Sequence, residues 1–176
     1  ITGKWIRENF PKPFDTFLTG EYTRSLETAA SLDLPGAKWI PSIYLRPRHY
    51  GVFSAIEFLP DKNEFNMHMA NRERDAFYWT PPNGESIAHL SLRTERIIHY
   101  LKYHVTTTGS AIIVTHRDVM ETMRIRIEHI LQLDYSKVIM NAKDPFALNY
   151  CSVLHYTKRN PKTGEISPLY RWNNSF

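Results

Sequence analysis

The sequence predicts a three-layer α/β/α sandwich built on a mostly parallel sheet. The first observation behind this fold class is that short apolar segments, typical of buried strands, alternate along the chain with longer segments of helical periodicity. The second is the apolar run over residues 111–114, which ends abruptly in Thr115 and His116 and is followed at once by a helical pattern. Ligands collect at the carboxyl ends of parallel strands, so His116 stands at a candidate site.

Helices and strands alternate in the first quarter of the chain. The predicted elements are a helix over residues 2–8, a strand over 14–19, a helix over 25–32 and an edge strand over 38–43. Pro11 and Pro13 prevent the first helix from continuing, and Pro35 with Gly36 stops the second. Pro41 cannot donate a backbone hydrogen bond, which favours an edge position for its strand.

Residues 45–83 differ in composition from the segments on either side. Prolines and a glycine stand among aromatic and charged side chains, and one helix is predicted over residues 63–77. Long excursions of this kind in compact domains are usually lids or binding segments. We therefore expect a lid inserted into one domain that covers residues 1–176.

The second half of the chain repeats the alternation. The predicted elements are a helix over residues 87–103, a strand over 111–114, a helix from 117 to 131, and strands over 149–156 and 166–172 that flank a turn at 158–164. Asn83 to Ser86 supply turn and capping residues before the first of these helices, and Glu85 suits the capping role. Apolar side chains recur at helical spacing in both helices.

Composition indicates one folded domain in a reducing compartment. Of 176 residues, 42% are hydrophobic and 13% aromatic, which suits a single core. One cysteine, Cys151, excludes an internal disulfide, and no apolar run is long enough to cross a bilayer. We therefore expect a cytoplasmic protein without a membrane partner.

The charge of the chain favours an anionic ligand other than nucleic acid. The net charge is +4, but the basic residues are scattered and form no long Lys/Arg tract or nucleic-acid motif.

Taken alone, His116 at its strand end is as compatible with a local structural hydrogen bond as with a ligand role.

Four segments, in this order along the chain, resemble motifs of the histidine phosphatase superfamily, also called the phosphoglycerate mutase-like family. They are residues 22–30 (YTRSLETAA), 45–51 (LRPRHYG), 84–86 (GES) and 114–116 (VTH). No single segment is specific, but their order and separations together identify the chain as similar to this family over nearly its whole length.

The resemblance implies that a phosphoryl group is transferred to a neutral histidine while a second histidine and arginines hold its oxygens. Arg24 would be one such clamp, since a guanidinium matches phosphate oxygens with a planar fork. His116 would be the second histidine of the pocket. Arg48, His49 and Tyr50 would lie over the pocket mouth and contact the rest of the substrate.

The family places its nucleophile in an Arg-His-Gly motif at the end of the first strand, and that triplet does not occur in this sequence. The run from Arg48 to Gly51 carries an extra Tyr and lies in the lid. Because the missing strand would be central in the sheet, we expect the sequence to be N-terminally incomplete rather than to have lost that strand.

Other positions also depart from the family. Pro47 stands where many members carry the general-acid Glu, and proline has no proton to give. Arg117 follows His116 where Gly is usual, and we expect it beside the substrate. Asp118 is a candidate replacement acid, and Glu57 is a weaker one.

Two function hypotheses follow from the resemblance. The first is a phosphatase that hydrolyses phosphomonoesters through a phosphohistidine, with no metal or other cofactor and with a phosphorylated small molecule or phosphoprotein as substrate. The second is a degenerate pseudo-phosphatase that binds anions or proteins. A plain nucleotide-binding domain lacks support, because no glycine-rich phosphate loop occurs.

Overall fold

The computed structural model describes residues 1–54, 61–105, 109–141, 147–170 and 172–173. Its helices are α1 (Thr2–Asn9), α2 (Thr23–Ser31), α3 (Lys62–Arg74), α4 (Ile87–His104), α5 (Arg117–Ile127) and α6 (Tyr135–Val138). Its strands are β1 (Thr16–Gly20), β2 (Ile40–Ser42), β3 (Ala111–Val114), β4 (Tyr156–Thr157) and β5 (Trp172–Asn173), and short 3₁₀ helices cover Ile43–Leu45, Gly51–Ser54 and Gln132–Asp134. Within these ranges no helix is both long and apolar enough to span a bilayer.

The central sheet is parallel, with the strand order β2-β1-β3. Gly20 at the end of β1 pairs with Ser42, and Thr19 pairs with Val114. All of these strands therefore end at the same edge of the sheet, where His116 follows β3. The parallel sheet and the edge position of β2 confirm the sequence prediction.

Helices cover both faces of this sheet, because successive side chains of a strand point to opposite faces. On one face, Phe17 packs with Ile6 of α1 and with Leu32 at the end of α2. On the other face, Leu18 packs against α4 and α5, whose contributions to the cluster are Leu90, Ile97, Val119 and Met123. The predicted three-layer α/β/α arrangement is confirmed.

A second apolar cluster attaches the end of the 45–83 segment to the core. Ala76 and Phe77 pack with Ile87, Ile125 and Tyr135, which belong to α4, α5 and α6. The segment is thus anchored at its carboxyl end next to the helices that support β3.

Two predicted helices are shorter in the structure. The helix predicted over 63–77 ends at Arg74, because Asp75 turns extended (φ −146°) and its carboxylate accepts a hydrogen bond from Tyr78 N, at 3.1 Å. The helix predicted to reach residue 131 ends at Ile127, and His129 has φ +54°. In both cases the predicted helix was too long because apolar side chains continue at helical spacing beyond the last helical residue.

The predicted strands over 149–156 and 166–172 were wrong in extent. The first overlaps β4 at Tyr156 alone: Cys151 has a left-handed backbone (φ +65°), and residues 152–155 form no strand. The second is reduced to β5, which pairs antiparallel with β4, and an isolated bridge between Arg159 and Ile166. Pro168 lies between that bridge and β5 and cannot extend a ladder.

Candidate functional site

His116 lies at the junction of β3 and α5, where it is the N-cap residue of the helix. Its Nε2 is 2.9 Å from Ser25 Oγ on α2, and its ring meets the ring of Tyr22 edge-on, with centroids 6.0 Å apart. Partial burial, and then the positive charges of Arg24 and Arg93, lower the pKa of His116 from 6.5 to about 4. The imidazole is therefore neutral near pH 7.

Arg24 lies beside this histidine in the first turn of α2. Its side chain is exposed, and its guanidinium carbon is 5.0 Å from the centre of the Tyr22 ring, the same ring that contacts His116. No carboxylate in the described ranges pairs with Arg24. A cation held near a neutral imidazole and without a counter-ion is suited to an anionic ligand.

Gly20, the last residue of β1, lies close to the His116 ring. A Cβ added at this position would lie 2.9 Å from Leu45 O and 3.1 Å from both His116 Nε2 and Ser25 Oγ. Thr115 Oγ1 donates to the same Leu45 carbonyl at 3.0 Å. The ends of β1 and β3 and the turn after β2 therefore meet too closely for any side chain at Gly20.

Arg93 braces the turn that follows β2. Its guanidinium forms a bidentate pair with Glu85, at 3.0 and 2.9 Å, and also donates to backbone carbonyls of Ile43, Tyr44, Arg46 and Pro47. Glu85 was expected to cap α4, but the cap is Ser86, whose Oγ accepts from His89 N at 3.0 Å. Nothing in the spacing of the sequence pointed to Arg93.

Tyr50 and Asp118 join the 45–83 segment to the start of α5. The Tyr50 hydroxyl donates to Asp118 Oδ2 at 2.6 Å. Burial and this hydrogen bond raise the pKa of Tyr50 to about 12, so the phenol keeps its proton. Two residues that the sequence singled out for different roles are thus direct partners within the site.

Arg48, His49 and Arg117 make local contacts. Arg48 is buried, donates to the carbonyls of Glu85 (2.7 Å) and Trp79 (3.3 Å), and lies over the Tyr50 and Trp79 rings. His49 is exposed and its Nδ1 accepts from Gly51 N.

Arg117 points along its own helix, where its Nε donates to Glu121 Oε1 at 2.9 Å. Glu121 is buried, which raises its pKa, and the paired guanidinium opposes that shift. Of the other acids considered, Glu57 lies outside the described residues. Pro47 offers only its carbonyl, which accepts from Arg93.

The sequence profile of the histidine phosphatase superfamily (branch 1) matches residues 3–163 of the chain. The chain belongs to this superfamily. The resemblance to this family is thereby confirmed, and the first and fourth of the segments that carried it meet where Ser25 of α2 contacts His116. Among curated proteins, no sequence matches this superfamily member.

Solved structures share the fold of this histidine phosphatase superfamily member. A mycobacterial glucosyl-3-phosphoglycerate phosphatase aligns at a TM-score of 0.61 and 15% identity over 78% of this chain and 68% of its own. Mycobacterial hydrolase 2 aligns at 0.64 and 15%, over 78% of this chain and 60% of its own. The alpha-ribazole phosphatase from Shigella flexneri aligns at 0.63 and 19%, over 96% and 80%. The likeness concerns the fold.

Proposed function

We propose that the protein is a cytoplasmic hydrolase that binds phosphomonoesters between Arg24 and His116. The observation that carries the proposal is the pairing of a neutral imidazole with an arginine that no described carboxylate neutralises, at the carboxyl ends of parallel strands. The N-terminus of α5 begins at the same place and favours negative charge. A phosphoryl dianion would satisfy all of these groups together.

Each group would have a distinct task. The guanidinium of Arg24 would hold two phosphoryl oxygens with its fork and offset charge that grows on them in the transition state. His116, being neutral, would donate one N–H to a third oxygen. Catalysis of phosphoryl transfer rests mainly on such positioning and charge stabilisation.

The reaction would pass through a phosphohistidine. A neutral histidine nitrogen attacks phosphorus, a P–N bond forms, and the P–O bond to the leaving group breaks. Water then attacks phosphorus, the P–N bond breaks, and inorganic phosphate leaves. The Arg-His-Gly motif that would supply this nucleophile does not occur in these 176 residues, so activity is tested on protein expressed from the complete coding region.

Asp118 is our candidate for the acid that protonates the leaving group. It accepts a hydrogen bond from Tyr50 at the start of α5. An acid catalyst must reach the leaving-group oxygen, and Asp118 lies two positions after His116, at the helix N-terminus where the ester would bind. Arg48, His49 and Arg117 would then shape the surroundings of the leaving group, which we propose belongs to a phosphorylated small molecule or a phosphoprotein.

The test is release of phosphate from p-nitrophenyl phosphate. We expect Arg24→Ala and His116→Ala each to lower kcat/KM by about 100-fold or more, since each removes a charge-stabilising contact in the transition state. The matched controls are Arg96→Ala and His99→Ala, both exposed on α4, which should remain within about twofold of the parent. Equal rates in the Arg24 and Arg96 variants would refute the assignment.

The second candidate is a pseudo-phosphatase that binds anions without turnover, which Pro47 at the position of the usual acid favours. In that case inorganic phosphate would perturb the NMR signals of His116, and Arg24→Ala would abolish the effect. No phosphate would be released at any enzyme concentration.

A further inference from the structure

Ser25 is the residue that holds His116 in place from below. It lies in the first turn of α2 and is 3% exposed, and its Oγ is 2.9 Å from His116 Nε2. Within the described ranges this imidazole nitrogen is the hydrogen-bond partner of the hydroxyl, and no other group hydrogen-bonds to either atom.

The direction of this hydrogen bond follows from burial. A buried hydroxyl hydrogen requires an acceptor, and leaving it without one would cost free energy. The acceptor within reach of Ser25 Oγ is Nε2, so the hydroxyl donates and Nε2 accepts with its lone pair. A neutral imidazole carries one hydrogen, which therefore sits on Nδ1.

The Ser25 hydroxyl occupies the Nε2 side of the ring. A ring nitrogen has one in-plane hydrogen-bonding position, and at Nε2 that position is taken by Ser25 Oγ at 2.9 Å, so Nε2 has no hydrogen to donate to a phosphoryl oxygen. The Nδ1 side has no hydrogen-bond partner among the residues that the structure describes, and a ligand would meet the ring there.

We infer that Ser25 is a positioning residue that fixes neutral His116 in the Nδ1–H form, so that Nδ1 donates to a phosphoryl oxygen. For its ligand this inference rests on the proposed function. The chemistry explains why the choice matters: a phosphoryl dianion offers acceptors only, and an Nδ1 lone pair would face it with repulsion instead of a hydrogen bond. Arg24 offers a positive charge to the ligand, whereas Ser25 determines which nitrogen of His116 carries the hydrogen that is donated to it.

The test is the protonation of the two ring nitrogens, read by long-range ¹H–¹⁵N NMR on ¹⁵N-labelled protein without ligand at pH 7. The chain contains 8 histidines, and His116→Gln assigns the signal of interest. We expect the parent to show a protonated Nδ1 and an unprotonated Nε2. Ser25→Ala should populate the Nε2–H form, whereas Ser25→Thr, which keeps the hydroxyl, should preserve the parent pattern.

Ser31→Ala is the matched control, because Ser31 lies at the other end of α2 and its hydroxyl donates to Thr28 O. It should leave the His116 signals unchanged. Titration with inorganic phosphate should shift Nδ1, and its affinity should fall about three- to tenfold in Ser25→Ala, the range that one hydrogen bond supports.

Two results would separate this inference from the proposed function. A protonated Nε2 in the unliganded parent, or an identical pattern in Ser25→Ala, would overturn the role of Ser25 whatever the protein binds. The expected tautomer in a parent that fails to bind phosphate would support the role of Ser25 in holding His116 and refute the proposed function.

Discussion

Acid should destabilise this protein through His116, by an amount that follows from its environment. Burial and the charges of Arg24 and Arg93 lower its pKa from 6.5 to about 4 in the folded state. Between these two values the unfolded chain binds the proton more readily than the folded one, so the free energy of unfolding falls as the pH falls. The contribution is close to zero at pH 7.5 and, discounted for the solvent that screens this half-buried ring, reaches about 1–2 kcal/mol of lost stability at pH 4.5.

The assay is urea unfolding of the parent and of His116→Gln at pH 7.5, 5.5 and 4.5. The variant lacks the titrating group, so its stability should fall by about 1–2 kcal/mol less than that of the parent over this range. Other groups, including His155, whose pKa is lowered by burial, titrate in both proteins and cancel in the difference. His99→Gln on the exposed face of α4 should follow the parent. Parallel pH curves for the parent and His116→Gln would refute the reasoning.

Two further substitutions test the framework around the site. Arg93→Ala leaves the Glu85 carboxylate and the carbonyls of the turn after β2 without their hydrogen-bond donor. We expect the free energy of unfolding to fall by about 3 kcal/mol, or Tm to fall by about 6–12 °C, as measured by calorimetry. A loss no larger than that of Arg96→Ala would contradict this. Gly20→Ala places a methyl group 2.9 Å from a backbone oxygen and 3.1 Å from His116 Nε2. It should lower the free energy of unfolding in urea by about 1–3 kcal/mol and shift the His116 NMR signals. Stability and signals like those of the parent would contradict the close packing around Gly20.

The elements that the sequence predicted well are those whose patterns coincide with burial. On β1, Phe17 and Leu18 face opposite helical layers, so the strand reads as continuously apolar, as strands of a parallel sheet do. The junction at His116 was predictable for the same reason, since an apolar run that stops at a polar side chain marks a strand end. The edge position of β2 followed from the missing N–H of Pro41.

The predictions failed where a single backbone conformation outweighed the side-chain pattern. Cys151 adopts a left-handed backbone that no apolar alternation signals, and Asp75 ends α3 through a side-chain bond to Tyr78 N. Ends of elements depend on such local contacts, which propensity averages over a window do not contain.

Within the site, the sequence identified residue types but not their partners. His116 was singled out by its place at a strand end and Arg24 by the family resemblance, whereas their neighbours Ser25 and Gly20 carried no chemical signal of their own. The partnership of Tyr50 with Asp118 spans 68 positions and arises only when the 45–83 segment folds over α5. Long-range contacts of this kind are set by topology, which a single sequence reveals only through resemblance.

The two cations that act on His116 differ in their freedom. Arg93 is held by a carboxylate and several backbone carbonyls, whereas Arg24 has no such restraints among the described residues. The charge of Arg93 therefore stays in one position whether or not a ligand is bound, while the Arg24 side chain can reorient when a ligand binds. Because one side chain both fixes the turn and places that charge, the shape and the electrostatics of the pocket cannot be changed independently at position 93.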